Sequence, residues 1–236
     1  LQTEWIFSAG NAQEDKNLVA ATTNFLLRNG TINKTAFQIN EQFDYYGSYI
    51  NRACYNETAT ITLHSLTRHI DNLLPKVREL ITDSVMPQEE LSIYQQNMKQ
   101  RLKVSLKKSD FVAGRLIDVY LYGEKHPYGK YSSAEDFDAL KREELVDFYK
   151  KYYQQGKLII FVAGKLPQNL EQLLNTNFGD LPFANVIEKE TAPVLGTEKK
   201  VRITNDPDGA QGSIRIARPF PNRHHPDFLK AQILNA

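Results

Sequence analysis

Few residues of this sequence are of the types that ligate metals or act as nucleophiles. The chain of 236 residues has five histidines and one cysteine. His64 and His69 are five positions apart, which fits neither one helical turn nor one face of a strand, so they do not predict a zinc site. His224 and His225 lie in a segment typical of a solvated loop. Cys54 falls in a predicted strand, which favours a buried structural thiol over a nucleophile.

The stretch that could position chemistry is 17–31, NLVAATTNFLLRNGT. Ala21 and Phe25 recur at helical spacing within a longer apolar pattern, which predicts an amphipathic helix. Asp15 is positioned to cap its start, and Gly30 to end it in the left-handed conformation that glycine adopts without steric cost. Taken alone, this pattern predicts a core helix.

Further blocks follow this helix in a fixed order. They are FDYYGSYINRACYNETATITL, the helical IDNLLPKVRELITDSVMPQEEL, YGEKHPYGKYSSAEDFDALKREELVDFYKKYY, and the strand-like KLIIFVAGKLP. In this order and spacing the chain resembles the insulinase/pitrilysin family of zinc peptidases, which includes the subunits of the mitochondrial processing peptidase. The resemblance covers nearly the whole chain and depends on the ordered set of blocks rather than on any one of them.

The family's functional residues can be carried over position by position. Active members have H-x-x-E-H on a helix followed by Gly-Thr, and a further zinc-ligating Glu near the position of Arg101. The four matched positions of this chain hold neither a metal ligand nor a base: Ala21, Asn24, Phe25 and Arg101. Zinc needs about three protein donors, and hydrolysis needs a carboxylate to take a proton from the bound water. The resemblance therefore implies the fold, but no catalytic residue and no metal ligand, and any zinc is expected only in a catalytic partner.

A second feature carried over from the family is a peptide-binding strand. In active members this strand lies beside the zinc site, and its edge pairs with the substrate backbone. The matching residues here are Ser48, Tyr49, Ile50, Asn51, Arg52 and Ala53. Such an edge can accept an extended peptide through main-chain hydrogen bonds, or it can be covered by a loop or a partner.

The resemblance favours a non-catalytic subunit, or half, of an insulinase-family peptidase. It would pair with a catalytic homologous subunit, or with a second half of the same fold, and help to form the chamber that holds extended peptides. Two alternatives stay open: an active zinc endopeptidase whose ligands lie in another register, and a stand-alone peptide-binding module. The resemblance also favours the periplasm, or another extracytoplasmic compartment, of a Gram-negative bacterium, although the sequence shows no signal segment.

Composition excludes some classes of partner. Lys and Arg number 29 against 28 Asp and Glu, so there is no electrostatic case for nucleic acid or an anionic membrane. No apolar run approaches the roughly 20 residues of a membrane-spanning helix. Hydrophobic residues make up 41% of the chain, which is enough for a packed core.

The order of predicted elements indicates an α+β fold, with an antiparallel-rich mixed sheet packed against helices. Strands are predicted at 1–9, 49–54, 58–66, 158–164, 199–203 and 212–217, with 158–164 as a central strand because it is continuously apolar. Helices are predicted at 34–46, 70–83, 88–105, 111–122, 137–153 and 228–236. We expect a first peptidase-family unit over 1–182, a linker over 183–197, and the beginning of a second, similar unit over 198–236.

Overall fold

The computed structural model describes residues 1–183, 201, 203–204, 211–218 and 222–234. The chain divides into two compact units. The first combines Leu1–Lys103 with Ser132–Thr191, and the second combines Val104–Tyr131 with Ala192–Ala236. The predicted linker 183–197 lies, apart from residue 183, outside the described residues.

A four-stranded antiparallel sheet forms the centre of the first unit. Its strands are β1 (Gln2–Phe7), β2 (Tyr49–Cys54), β3 (Ala59–His64) and β4 (Leu158–Ala163), arranged in the order β2-β3-β1-β4. The register places Trp5 between Ile61 and Ile160. Side chains alternate across a strand, so Trp5 and Ile61 share one face, and both are fully buried.

Nine α-helices are found within the described residues. They are α1 (Val19–Leu26), α2 (Ala36–Asp44), α3 (Ile70–Thr82), α4 (Gln88–Ser105), α5 (Ser109–Tyr122), α6 (Ala134–Ala139), α7 (Arg142–Tyr149), α8 (Leu170–Phe178) and α9 (Phe228–Leu234). A single π-helical turn, Lys150–Gln154, extends α7. The α+β class predicted from the sequence is confirmed, and the sheet is antiparallel at all three of its described pairings.

The helices of the first unit cover the buried face of the sheet. The apolar stripe of α3 is buried as its periodicity predicts, with Leu73, Val77 and Leu80 at most 1% exposed. Two ring contacts join the sheet to elements late in the chain. Trp5 packs against Phe178 of α8 with ring centroids 5.6 Å apart, and Phe7 packs against Tyr153 at 4.7 Å.

The predicted central strand 158–164 lies instead at an edge of the described sheet. β4 pairs with β1 on one side, and its alternate side chains Ile159 and Phe161 are exposed. A short apolar run is compatible with a central or an edge position, because the sequence pattern does not show how many strands pair with it. The prediction of a central strand is therefore wrong.

The helix predicted over 137–153 is divided in two. Leu140 takes an extended conformation after α6, and the N–H of Lys141 donates to the Glu144 carboxylate at 3.1 Å as α7 begins. A glutamate three residues after the N-cap residue stabilises the N-terminus of a helix. This local signal interrupts an apolar period that otherwise continues.

The described part of the second unit holds α5 and α9. The ring of His126 is buried there, and its centroid lies 5.3 Å from that of Tyr122 and 5.1 Å from that of Tyr128. The Asp110 carboxylate accepts a hydrogen bond from the Arg215 guanidinium. Residues 211–218 form no strand, so the strand predicted at 212–217 is wrong. That segment has no backbone partner among the described residues, and most of the predicted strand 199–203 lies outside them.

Candidate functional site

Helix α1, which carries the matched peptidase positions, begins on the carboxylate of Glu14. The backbone N–H groups of Leu18 and Ala20 donate to this carboxylate at 3.2 and 2.9 Å. A carboxylate at a helix N-terminus satisfies N–H groups that lack partners and interacts favourably with the helix dipole. Glu14 is buried, whereas Asp15 is exposed. The prediction that Asp15 caps this helix is wrong.

The end of α1 also differs from the prediction. The helix ends at Leu26, and its C-cap Leu27 is right-handed, so Gly30 does not cap it. Gly30 instead forms an isolated bridge with Thr35, at a φ of +154°. A Cβ at this position would approach the Pro87 ring to 2.9 Å. Glycine is required here by a close approach rather than by a helix end.

The role of Glu14 predicts a measurable loss of stability. Glu14→Ala leaves two backbone N–H groups without their acceptor, so we expect the free energy of unfolding to fall by about 1–3 kcal/mol. Asp15→Ala removes the same charge from the exposed neighbour and is expected to change it by less than about 0.5 kcal/mol. Urea unfolding of both variants is the measurement. Equal effects would contradict a capping role for Glu14.

The matched position Asn24 is part of the core. Its side chain is 3% exposed, and its amide nitrogen donates to the backbone oxygen of Thr60 at 3.2 Å and to the Tyr153 hydroxyl at 3.1 Å. Burial raises the pKa of the Tyr153 phenol well above its ordinary value, so the hydroxyl is neutral. Asn24 thus joins α1 to the sheet and to the turn after α7.

The matched position Phe25 packs beneath an arginine. The Arg52 guanidinium lies over the Phe25 ring, 5.1 Å from its centroid, and donates to the Phe25 backbone oxygen. The Tyr94 ring lies 4.7 Å from the Phe25 ring. Phe25 is nevertheless 41% exposed. The helical period predicts that Phe25 lies in the core, but its ring does not fill a closed volume there.

The Arg52 guanidinium therefore places a positive charge beside α1, the helix that the resemblance matches to the metal-binding helix of active members. Burial lowers the pKa of Arg52 to about 10, and the nearby charge of Arg28 acts in the same direction. The guanidinium remains charged at neutral pH. Ala21 is partly exposed, and Arg101 is exposed on α4, where its Nη1 lies 4.0 Å from the Met98 sulfur.

These side chains do not fit a zinc ion. A methyl group, a ring, two guanidinium groups and an amide whose nitrogen already donates two hydrogen bonds offer no set of metal donors. Within the described residues, no group of three His, Cys, Asp or Glu could hold a metal ion.

Strand β2 lies at the other edge of the sheet, beside α1. The Tyr55 N–H donates to the Thr58 oxygen at 2.7 Å, and hydrogen-bonded pairs alternate along an antiparallel ladder. The N–H and C=O groups of Ile50 and Arg52 consequently point away from β3, towards the edge. Arg28 reaches one of them, since its Nη1 donates to the Ile50 oxygen at 2.9 Å.

The other residues predicted to bind peptide have different surroundings. Ser48 is buried, and its hydroxyl donates to the Phe43 oxygen at 2.8 Å, where α2 ends. Tyr49 stacks on His64 with ring centroids 4.5 Å apart. Asn51 is exposed and Ala53 is partly buried. Only Ile50 and Arg52 combine edge-directed backbone groups with side chains on the α1 side of the sheet.

Burial raises the pKa of the Cys54 thiol to about 12, with Glu14 adding in the same direction. The thiol is therefore protonated near neutral pH and is a poor nucleophile. This agrees with its predicted structural role. His69 contacts Arg68 and the Tyr46 ring, and among the described residues it belongs to no group able to hold a metal.

Sequence reasoning missed Glu14, Arg28, Tyr94 and Tyr153 as determinants of this region. Glu14 precedes the start of α1 by five positions, so the usual capping spacing does not reveal it. The tyrosines come from α4 and the π-helical turn, and their contacts with α1 depend on tertiary packing. Arg28 had a detectable signal: it is the charged residue at the end of an apolar helix next to a predicted edge strand.

Comparison with known proteins tests the resemblance directly. The family model described as "Peptidase M16 inactive domain" matches residues 139–236. The probable mitochondrial-processing peptidase subunit beta of Schizosaccharomyces pombe is 24% identical over 216 residues, covering 88% of this chain and 46% of its own length. The chain is similar to peptidases of the M16 family. The predicted resemblance is thereby confirmed.

Other similar proteins agree with this resemblance. An uncharacterized zinc protease of Rickettsia felis is 25% identical over 189 residues, covering 72% of this chain and 46% of its own length. The crystal structure of a peptidase M16 inactive domain from Pseudomonas fluorescens superposes with a TM-score of 0.75 at 24% identity, over 82% of this chain and 48% of that one. A Helicobacter pylori protease gives a TM-score of 0.67 at 15% identity. The chain spans about half the length of the relatives it matches.

In the part of the chain that the structure describes, no helix combines the length and the apolar character required to cross a membrane.

Proposed function

We propose that this M16 relative is a non-catalytic subunit, or half, of a zinc peptidase, and that it pairs with a catalytic homologue to form a peptide-binding chamber. The observation that carries the proposal is the stack of Arg52 on Phe25 beside α1. A guanidinium next to the helix opposes a divalent cation, and no matched position supplies a base for water. The family-model match does not reach α1, so this argument depends on the side chains themselves.

The pairing is supported by the relatives. One of them is named as a subunit, and the chain spans about half their length. The expected partner is a homologue with an intact H-x-x-E-H, which would supply the zinc and the general base. This chain would contribute part of the chamber's inner surface and the β2 edge, where backbone groups of Ile50 and Arg52 are directed outward.

The test is co-expression with an H-x-x-E-H homologue from the same organism, with an affinity tag on the homologue only. We expect the two chains to elute together in size-exclusion chromatography. We also expect hydrolysis of a fluorogenic peptide to rise at least about tenfold over the homologue alone, because this chain would complete the chamber that positions the substrate. The matched control is the same pair with the homologue's motif glutamate changed to glutamine, which should be inactive.

The chain alone is expected to contain far less than one equivalent of zinc by elemental analysis, and to show no chelator-sensitive hydrolysis. Stoichiometric zinc and activity in the isolated chain would instead establish an active endopeptidase. Peptide binding without any association with the homologue would point to a stand-alone binding module.

A further inference from the structure

We infer that the β2 edge selects extended peptides with an acidic side chain, and that Arg28 and Arg52 recognise its carboxylate. This inference rests on the proposed peptide-binding role of β2 and specifies the class of peptide bound. It concerns the α1 side of the strand, where the two guanidinium groups lie.

The first support is that both guanidinium groups lack an anionic partner. Arg28 donates to the Ile50 oxygen and Arg52 to the Phe25 oxygen. In the described part of the chain, neither forms a salt bridge with a carboxylate. Burial lowers the pKa of each, and for Arg28 the more distant Asp44 only partly offsets it. Two partly buried cations near one another favour an anion between them.

The second support is the direction of the strand's side chains. Ile50 and Arg52 face α1, and their backbone groups face the open edge. A peptide that pairs with this edge has alternate side chains on the α1 side, with Cβ atoms about 4.5–5.5 Å from those directly opposite. A glutamate there comes within reach of Arg52, against a wall formed by the rings of Phe25 and Tyr94.

The third support is the position of Arg28 on the edge itself. Its bond to the Ile50 oxygen occupies an acceptor that an incoming strand needs. A peptide N–H that bonds this oxygen competes with Arg28 for it, and displacing Arg28 costs a charge-assisted hydrogen bond. A carboxylate offers Arg28 a charge-assisted replacement for this bond, whereas a glutamine offers only a neutral amide oxygen. The edge is thus expected to favour acidic peptides, because a peptide that displaces Arg28 from the Ile50 oxygen leaves its guanidinium in need of an anionic partner.

The experiment compares two fluorescein-labelled extended peptides of alternating valine and threonine. One has a central glutamate and the other a central glutamine, and binding to the full chain is followed by fluorescence anisotropy. We expect the glutamate peptide to bind about tenfold tighter at low ionic strength, as a charge-assisted pair gives. The difference should shrink when added salt shortens the screening length to about 3 Å near 1 M.

Substitutions then locate the preference. Arg52→Gln should reduce it to less than about twofold, and Arg52→Lys should retain part of it because the charge remains. Arg28→Gln should reduce it as well, while tightening binding of the glutamine peptide, since the Ile50 oxygen is then free. Lys165→Gln is the matched control: it removes one exposed cation next to β4 and should leave the preference unchanged.

Each outcome has a distinct meaning. Equal binding of the two peptides by the unmodified chain overturns the charge selectivity and leaves the peptide-binding role intact. Binding of neither peptide overturns both. A preference that survives both arginine substitutions overturns the assignment to Arg28 and Arg52. The comparison within the unmodified chain decides the inference even if Arg52→Gln fails to fold.

Discussion

Restoring the peptidase motif by Ala21→His, Asn24→Glu and Phe25→His is expected to give a protein without peptidase activity, less stable by about 2–4 kcal/mol. Most of the loss comes from Asn24→Glu. The Asn24 amide donates to the Thr60 oxygen and the Tyr153 hydroxyl. An ionised glutamate has no proton to donate and places its charge against a buried carbonyl oxygen.

Peptidase activity is expected to stay absent for two reasons. The Arg52 guanidinium donates to the backbone oxygen of Phe25, which the substitution retains, so it still lies beside α1 and opposes a divalent cation there. The position matched to the distal ligand still holds Arg101, so the carboxylate that would complete the metal site is missing.

The single variants divide this effect. Phe25 is 41% exposed, so Phe25→His is expected to destabilise by only about 1 kcal/mol, less than a fully buried phenylalanine would. Ala21→His, at a partly exposed site, serves as the mild control. Urea unfolding, zinc content and hydrolysis of a fluorogenic peptide should be measured on all four proteins. Zinc-dependent hydrolysis by the triple variant would contradict the expectation.

Gly10→Ala is expected to destabilise the protein by about 3 kcal/mol or more. A Cβ at Gly10 would lie 2.4 Å from the backbone carbon of Glu57 and 2.5 Å from the Asn56 oxygen and the Thr58 nitrogen. All three atoms belong to the turn between β2 and β3, where no side chain can rotate away. The segment after Gly10 leads into Glu14 and α1, so the displacement also disturbs the start of that helix.

The matched control is Gly114→Ala in α5, where a new Cβ meets no atom within 4 Å. Alanine is the better helix former, so this variant should gain about 0.5–1 kcal/mol. Thermal and urea unfolding compare the two. A Gly10→Ala protein as stable as the unmodified chain would show that the β2–β3 turn moves readily.

Much of the fold could be predicted because periodicity acts locally. The alternation of Ala59, Ile61 and Leu63 indicates a half-buried strand, and all three are fully buried. The stripe of α3 is equally clear. Predictions were wrong where a neighbour decides the outcome. Phe37 fits the apolar period of the helix predicted over 34–46, yet it is 75% exposed, because the sequence does not show which element lies opposite that helix face.

The candidate site was only partly predictable for a related reason. A motif comparison gives the residues that replace metal ligands, such as Asn24 and Phe25, because those positions are defined by spacing. It cannot show that Arg52 crosses from β2 to stack on Phe25, or that Arg28 reaches the Ile50 oxygen. Both contacts join elements whose separation is fixed by packing of α1 on the sheet.

The bond from Arg28 to the Ile50 oxygen has a consequence for the behaviour of the protein in concentrated solution. An open edge strand is a template on which identical chains can aggregate. Two copies meeting through β2 would each have to break this bond, and their Arg28 and Arg52 charges would then face like charges. The same pair of cations that we propose to admit an acidic peptide thus keeps this edge from recruiting another copy of its own chain.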